Sequence, residues 1–157
     1  MPDRRKPVIA VVGAGKCSKK LQDQAAEVGR YVAENGGTIV CGGLGGIMEG
    51  AARGAKEAGG ATIGVLPGDD SSAANEFIDV VIPTGFGEAR NIIVVRTADA
   101  VVALPGKYGT LTEIAFALLA HKPVISVAAW KFGDEVHQAS TPREAAELAM
   151  ELARAGI

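Results

Sequence analysis

Short uninterrupted apolar runs alternate along this chain with longer stretches whose apolar residues recur every three or four positions. The runs fall at residues 6–12, 38–41, 61–66, 78–83, 101–104 and 123–127. Several end in a turn signal: Gly13-Ala14-Gly15, Gly42-Gly43, Pro67-Gly68 and Pro105-Gly106. Continuous apolar runs of this length predict strands covered on both faces. Between them the period lengthens to that of a helix. Leu21, Ala25, Val28 and Val32 share one face of a helix predicted over 18–35, stopped by Asn35-Gly36-Gly37. Residues 47–58 predict a small-residue helix whose Gly50, Ala51, Gly54 and Ala55 would let it sit close to a sheet. Further helices are predicted over 85–97 and from Thr110 to about His121-Lys122, where His121 reads as a helix C-terminal residue. Thr141-Pro142-Arg143-Glu144 is a capping box with proline at the first helical position, opening a last helix with Leu148 and Leu152 on its buried face. A polar loop is expected at 69–75, and 130–140 has no regular period.

Strand–helix alternation with continuous apolar strands predicts an α/β fold: a doubly wound, mostly parallel sheet with helices on both faces, in one domain over 1–157. Right-handed crossovers bring the turns after strands one, two, four and five to one carboxyl edge, where such folds hold their ligands. Strands four and five are expected to be neighbours, which would let Arg90 and Glu113 approach each other across the crevice.

At 157 residues the chain is long enough for one substantial core, and with four Phe, two Tyr and one Trp that core must be aliphatic. The 21 glycines cluster at the predicted turns instead of forming a repeat. No apolar stretch reaches the roughly 18 residues that a membrane span needs. The opening MPDRRKP lacks a secretory apolar segment, so a cytoplasmic protein is expected. A net charge of −2 argues against a nucleic-acid surface. Cys17 and Cys41, without clustered histidines, make no zinc site and read as ordinary thiols of a reducing compartment; no metal is expected.

Candidate chemistry centres on ADAVVALPGKYGTLTE, residues 98–113. Strand 101–104 leads into Pro105-Gly106-Lys107-Tyr108-Gly109 and then a helix, which directs free N–H groups and a positive helix end at the sheet edge. That arrangement attracts anions. Thr110 can cap the helix or donate to a phosphate. Glu113 either complements the helix dipole or faces the crevice. Lys16, Arg90, Arg96 and Lys107 fall at or just beyond strand ends, or on helices that start there. Gly42, Gly43, Gly45 and Gly46 exceed what one turn requires and suggest a ligand cradle.

Two familiar phosphate-binding patterns are excluded. Gly13-Ala14-Gly15-Lys16-Cys17-Ser18 begins like a dinucleotide fingerprint, but Ser18 replaces its third small residue and strand two ends without the acid that would hold a ribose. As a P-loop it fails at Ala10, where a glycine is needed, and at Cys17, where the magnesium-binding hydroxyl belongs. Gly13 and Gly15 still suit close backbone approach to a ligand.

The segment Pro105-Gly106-Lys107-Tyr108-Gly109-Thr110-Leu111-Thr112-Glu113 resembles the PGGxGTxxE motif of the LONELY GUY-type phosphoribohydrolases, often mislabelled lysine decarboxylases. Arg90 stands where that family carries the arginine of its Arg-Lys pair, and residues 41–46 resemble its glycine-rich loop. The resemblance is closer to the related molybdenum-cofactor carrier proteins, through Ile63–Gly68, Pro83-Thr84-Gly85, Ala89-Arg90-Asn91 and Lys122-Pro123-Val124. It spans about residues 7–127 and implies a Rossmann-like fold. For function it implies a carrier that binds a phosphorylated ligand, a molybdopterin-type cofactor or a nucleotide, with no cofactor required by the fold itself. Gly13, Gly15, Lys16, Gly42, Gly43, Gly45, Gly46, Arg90, Asn91, Gly106, Lys107, Tyr108, Gly109 and Thr110 would then contact the ligand. The alternative it implies is hydrolysis of a nucleoside 5′-monophosphate to free base and ribose 5-phosphate, with Arg90 and Glu113 catalytic. Three departures favour binding: Lys107 replaces the second glycine of PGG, Asn91 replaces the lysine after the arginine, and Phe116 replaces a further glutamate. The apolar excess of Ile92, Ile93, Val94 and Val95, and of Leu111, Ile114, Ala115, Phe116, Leu118 and Leu119, predicts a homodimer or a dimer of dimers that hides the Phe116 ring.

Overall fold

The computed structural model describes residues 5–157; the first four residues of the MPDRRKP opening lie outside the described part. Seven parallel strands form one sheet, β1 (Val8–Val12), β2 (Thr38–Cys41), β3 (Thr62–Leu66), β4 (Val80–Pro83), β5 (Ala100–Ala103), β6 (Val124–Ser126) and β7 (Val136–Gln138). Their order is β4-β3-β2-β1-β5-β6-β7, all pairs parallel. The chain therefore builds outward from β1 to one edge, crosses back, and builds outward from β5 to the other. The reversal lies between β1 and β5, where a crevice opens at the carboxyl ends of the strands.

Five helices cover the sheet: α1 (Lys19–Glu34), α2 (Ile47–Glu57), α3 (Arg90–Thr97), α4 (Tyr108–Leu119) and α5 (Pro142–Ala155). Alternate residues of each strand feed opposite faces. Ile9, Val11, Ile39, Val102 and Leu104 pack under α1, α2 and α5, while Ala10, Val12, Val40, Val101 and Ala103 pack under α3 and α4. Ser18 caps α1 by accepting from Leu21 N at 3.2 Å. Thr141 caps α5 by accepting from Glu144 N at 3.1 Å, and the Glu144 carboxylate accepts in return from Ser140 N at 3.0 Å, one residue before the N-cap, so the reciprocal bond of the capping box is shifted by one position. On α5 the fully buried face is Ala145, Ala146, Ala149, Met150 and Ala153, with Leu148 and Leu152 at its half-buried margin.

Several expectations are corrected. β4 does not neighbour β5: it is an edge strand three strands from β1, and it exposes Val80 and Ile82 instead of burying both faces. A seventh strand, β7, forms inside the stretch read as irregular. Its three residues show no period, and only Val136 is buried, so the pairing to β6 specifies it. The helix expected over 85–97 splits into a single 3-10 turn, Gly87–Ala89, and α3. The small residues of α2 serve two neighbours: Ala51 and Ala55 pack fully buried with Ile9, Val11 and Ile39 of the sheet, while Gly50 and Gly54 face α1. A Cβ on Gly54 would lie 1.9 Å from the Ala26 carbonyl oxygen and one on Gly50 2.3 Å from that of Gln22, while one on Gly29 of α1 would lie 2.0 Å from that of Ala51. The two helix backbones touch, which only glycine allows.

Candidate functional site

Three turns meet at the crevice. The β1 turn and the β5 turn are joined by Ala14 N donating to the Pro105 carbonyl at 2.9 Å, and the Ala14 carbonyl accepts from Ile47 N at the start of α2 at 3.0 Å. Ala14 thus pins the first and fifth turns and the second helix to one another. Glycine makes this approach possible. A Cβ on Gly46 would lie 2.3 Å from the Ala14 carbonyl oxygen, and Gly46 itself takes a φ of 62°. One on Gly106 would lie 2.0 Å from Thr110 Oγ1 and 3.0 Å from Ala14 N.

The resulting cleft has a volume of about 350 Å³. Of the residues singled out in the sequence, Gly13, Gly15, Lys16, Arg90, Asn91, Lys107, Gly109, Thr110 and Glu113 line it. Gly42, Gly43, Gly45, Gly46 and Gly106 do not line it; all but Gly43 pack directly against residues that do, and Gly43 packs against Leu66 and Gly64 of β3. Gly42 leaves room for the Arg90 guanidinium, since a Cβ there would lie 2.6 Å from Nη2. Tyr108 is outside the lining and 77% exposed. Thr110 does not cap α4: the N-cap is Lys107, which makes no side-chain cap bond, and Thr110 is buried in the first turn. Leu44, Met48 and Glu88 also line the cleft and were not singled out. Leu44 lies within the glycine loop and Met48 two residues beyond it, so both could have been inferred from it. Glu88 lies two residues before Arg90, a proximity that carried no signal because the predicted helix began earlier.

Arg90 and Glu113 share this cleft for a different reason from the one expected. The chain runs from edge strand β4 back over the sheet, and α3 lies beside α4 on the same face. Arg90 is only 6% exposed. Its Nη1 donates to Asn91 Oδ1, while its buried Nε has no hydrogen-bond partner among the described residues. Asn91 Nδ2 donates to Thr112 Oγ1 at 3.0 Å and to the Gly109 carbonyl at 3.4 Å. Asn91 therefore spends its amide on holding Arg90 to the first turn of α4. The Glu113 carboxyl, 7% exposed, is pushed up to about 8 by burial; the Arg90 charge draws it down and the Glu88 charge adds to the rise. At neutral pH it is largely a proton donor. Beneath the cleft, the fully buried Cys41 thiol is raised to about 11 by burial, and it contacts the Met48 carbonyl at 3.7 Å. Both cysteines are free thiols.

The chemistry on offer is anion binding with an adjacent protonated acid. Lys16, Lys107 and Arg90 surround turns rich in backbone N–H groups, and an orphaned buried guanidinium nitrogen is costly without a partner. Among the described residues, no helix is long and apolar enough to cross a membrane.

Comparison with known proteins agrees with this architecture. The molybdenum cofactor binding protein from the phototrophic bacterium Rippkaea orientalis is 35% identical, with a TM-score of 0.87 over 94% of this chain and 98% of that one. The Moco carrier protein from Chlamydomonas reinhardtii is 36% identical, with a TM-score of 0.86 over 96% and 99%. The cytokinin riboside 5′-monophosphate phosphoribohydrolase of Mycobacterium tuberculosis is 35% identical over 132 residues, 78% of this chain and 71% of that protein. A family model described as the SLOG cluster4 family matches residues 6–155, nearly the whole chain, and the protein belongs to that family.

Proposed function

We propose that the protein binds a phosphorylated small ligand, a molybdopterin-type cofactor or a nucleotide, in the cleft between the β1 and β5 turns. The carrying observation is the buried Arg90, held by Asn91 with Nε unpartnered among the described residues, amid three glycine-built turns and two lysines. The phosphate would take the backbone N–H groups of the Gly106–Thr110 turn, with Lys107 and Arg90 supplying charge. The cleft volume of about 350 Å³ lies toward the small end of ligand sites, which run from roughly 300 to 1,000 Å³. The Moco carrier neighbours support the carrier form of this reading. When bound, a molybdopterin would bring a terminal phosphate to the turn; this chain's residues bind and orient it.

A second reading rests on Glu113. A buried carboxyl raised to about 8 beside an arginine is equipped to give a proton to a departing base or to hold a ribose hydroxyl during N-glycosidic cleavage. The similarity to a phosphoribohydrolase supports it. One experiment separates the two. AMP is titrated into the protein by calorimetry, and the same samples are assayed for free adenine. Binding without adenine release, abolished in Arg90→Met, supports the carrier form. Release that disappears in Glu113→Gln while AMP still binds supports hydrolysis. Absence of AMP and phosphate binding in the wild type would refute the phosphate site.

A further inference from the structure

Glu88 stands at the rim of the cleft with no ion-pair partner among the described residues. Its backbone is fixed in place. Thr84 N donates to the Leu66 carbonyl at 3.2 Å, Gly85 N to that of Gly68 at 2.9 Å and Gly87 N to that of Pro67 at 2.9 Å, so residues 84–87 are tied to the exit of β3. Thr84 Oγ1 donates to the same Leu66 carbonyl at 2.7 Å and accepts from Phe86 N at 3.1 Å. Gly85 and Gly87 take φ values of 69° and 61°, a region that side-chain-bearing residues rarely adopt, so the approach to Glu88 has one shape. Glu88 Oε2 ends 3.7 Å from the point where a Cβ on Gly109 would sit. It therefore flanks the first turn of α4, in the cleft that Glu113 also lines.

This is an unfavourable place for a carboxylate if the cleft only gathers phosphate. A carboxylate accepts hydrogen bonds and donates none, so beside a phosphate turn it repels a bare anion. The placement becomes favourable when the ligand brings hydroxyl donors within a few bonds of its phosphate. A pentose 5-phosphate does so: its ring hydroxyls lie close to the ester, and a vicinal pair matches the two oxygens of one carboxylate. A molybdopterin-type ligand carries its phosphate on a ring without hydroxyls, so it offers no vicinal hydroxyl pair there. Phe116, where the related hydrolases have a further glutamate, packs half-buried against the core under α3 and α4, so α4 supplies no second acid. Glu88 brings one in from the turn that precedes α3.

We infer that Glu88 is the specificity residue of the cleft, accepting hydrogen bonds from the hydroxyls of a pentose 5-phosphate, free or glycosidically linked, whose phosphate sits at the Gly106–Thr110 turn. The inference rests on the phosphate-site reading above. It names the sugar, not the base, as the part of the ligand that is selected.

Isothermal titration of wild type and Glu88→Ala tests it, with inorganic phosphate, ribose 5-phosphate, 2-deoxyribose 5-phosphate, AMP and 2′-deoxy-AMP as probes. Glu88 is exposed and outside the core, so the variant should melt with the wild type. Charge-assisted hydrogen bonds of this kind should make the wild type favour the ribose member of a pair by about tenfold. In Glu88→Ala the preference should fall to about twofold or less, while inorganic phosphate binds as tightly or more tightly, because a repulsive charge has gone. Preference in both pairs assigns a free or linked sugar phosphate; preference only in the AMP pair assigns the nucleotide. Equal binding of both members of each pair by the wild type, or a preference that survives in Glu88→Ala, overturns the role of Glu88 and leaves the phosphate site standing. Failure of inorganic phosphate and of every ester to bind overturns both.

Discussion

Replacing Glu113 with glutamine should make the protein more stable, by an amount that grows with pH. In the folded state the Glu113 carboxyl titrates at about 8, and its ordinary value is 4.5. Between those values the folded chain keeps a proton that the unfolded chain has released. Stability from this group is fully present below pH 4.5 and is lost as pH rises through about 8. Glutamine has the same shape and no charge to bury, so it removes the loss. The gap between variant and wild type should widen by about 1.4 kcal/mol per pH unit across this window and reach roughly 3 kcal/mol at pH 7. For a chain of this size that is on the order of 6–12 °C in melting temperature. Urea denaturation followed by far-UV circular dichroism at pH 5, 6, 7 and 8 gives the measurement. Packing differences between the two side chains shift all pH values alike, so the slope is the diagnostic quantity. A gap that stays constant or narrows as pH rises would refute the reasoning. It would mean that the Arg90 charge outweighs burial and keeps the carboxylate ionised.

Two further outcomes follow from the packing. Gly54→Ala should lower stability by about 3 kcal/mol or more, because the added Cβ meets the Ala26 carbonyl of α1 at 1.9 Å and neither helix backbone can yield cheaply; an unchanged urea midpoint would show that the helices separate freely. The apolar excess that suggested a dimer does not reside on Phe116, which is half-buried, but on Leu119, 76% exposed. Sedimentation should therefore give at least twice the 16.0 kDa chain mass for wild type and a lower mass for Leu119→Lys, and a monomeric wild type would refute the paired state.

The sequence by itself determined the alternation of strands and helices, and hence a parallel sheet with its turns on one edge. Continuous apolar runs leave no other way to bury both faces of a strand, and local signals such as Ser18, Thr141 and Glu144 act within one turn of the chain. It also determined which turns are rich in glycine and where Arg90, Lys107 and Glu113 fall in the order of elements. Strand order was beyond it. Nothing local to residues 80–83 or 100–103 states that β4 is an edge and β5 lies beside β1; that follows from which faces the helices cover and from the handedness of the crossovers. The same limit explains Gly29, Gly50 and Gly54. A small residue in a helix announces a close approach, and only the packed structure says that the partner is another helix. It explains Glu88 as well, whose position depends on a turn anchored to β3 nearly twenty residues earlier. Above all, the raised Glu113 exists only in three dimensions: a carboxyl group is an ordinary acid until the fold has removed its water and set an arginine and a second carboxylate beside it.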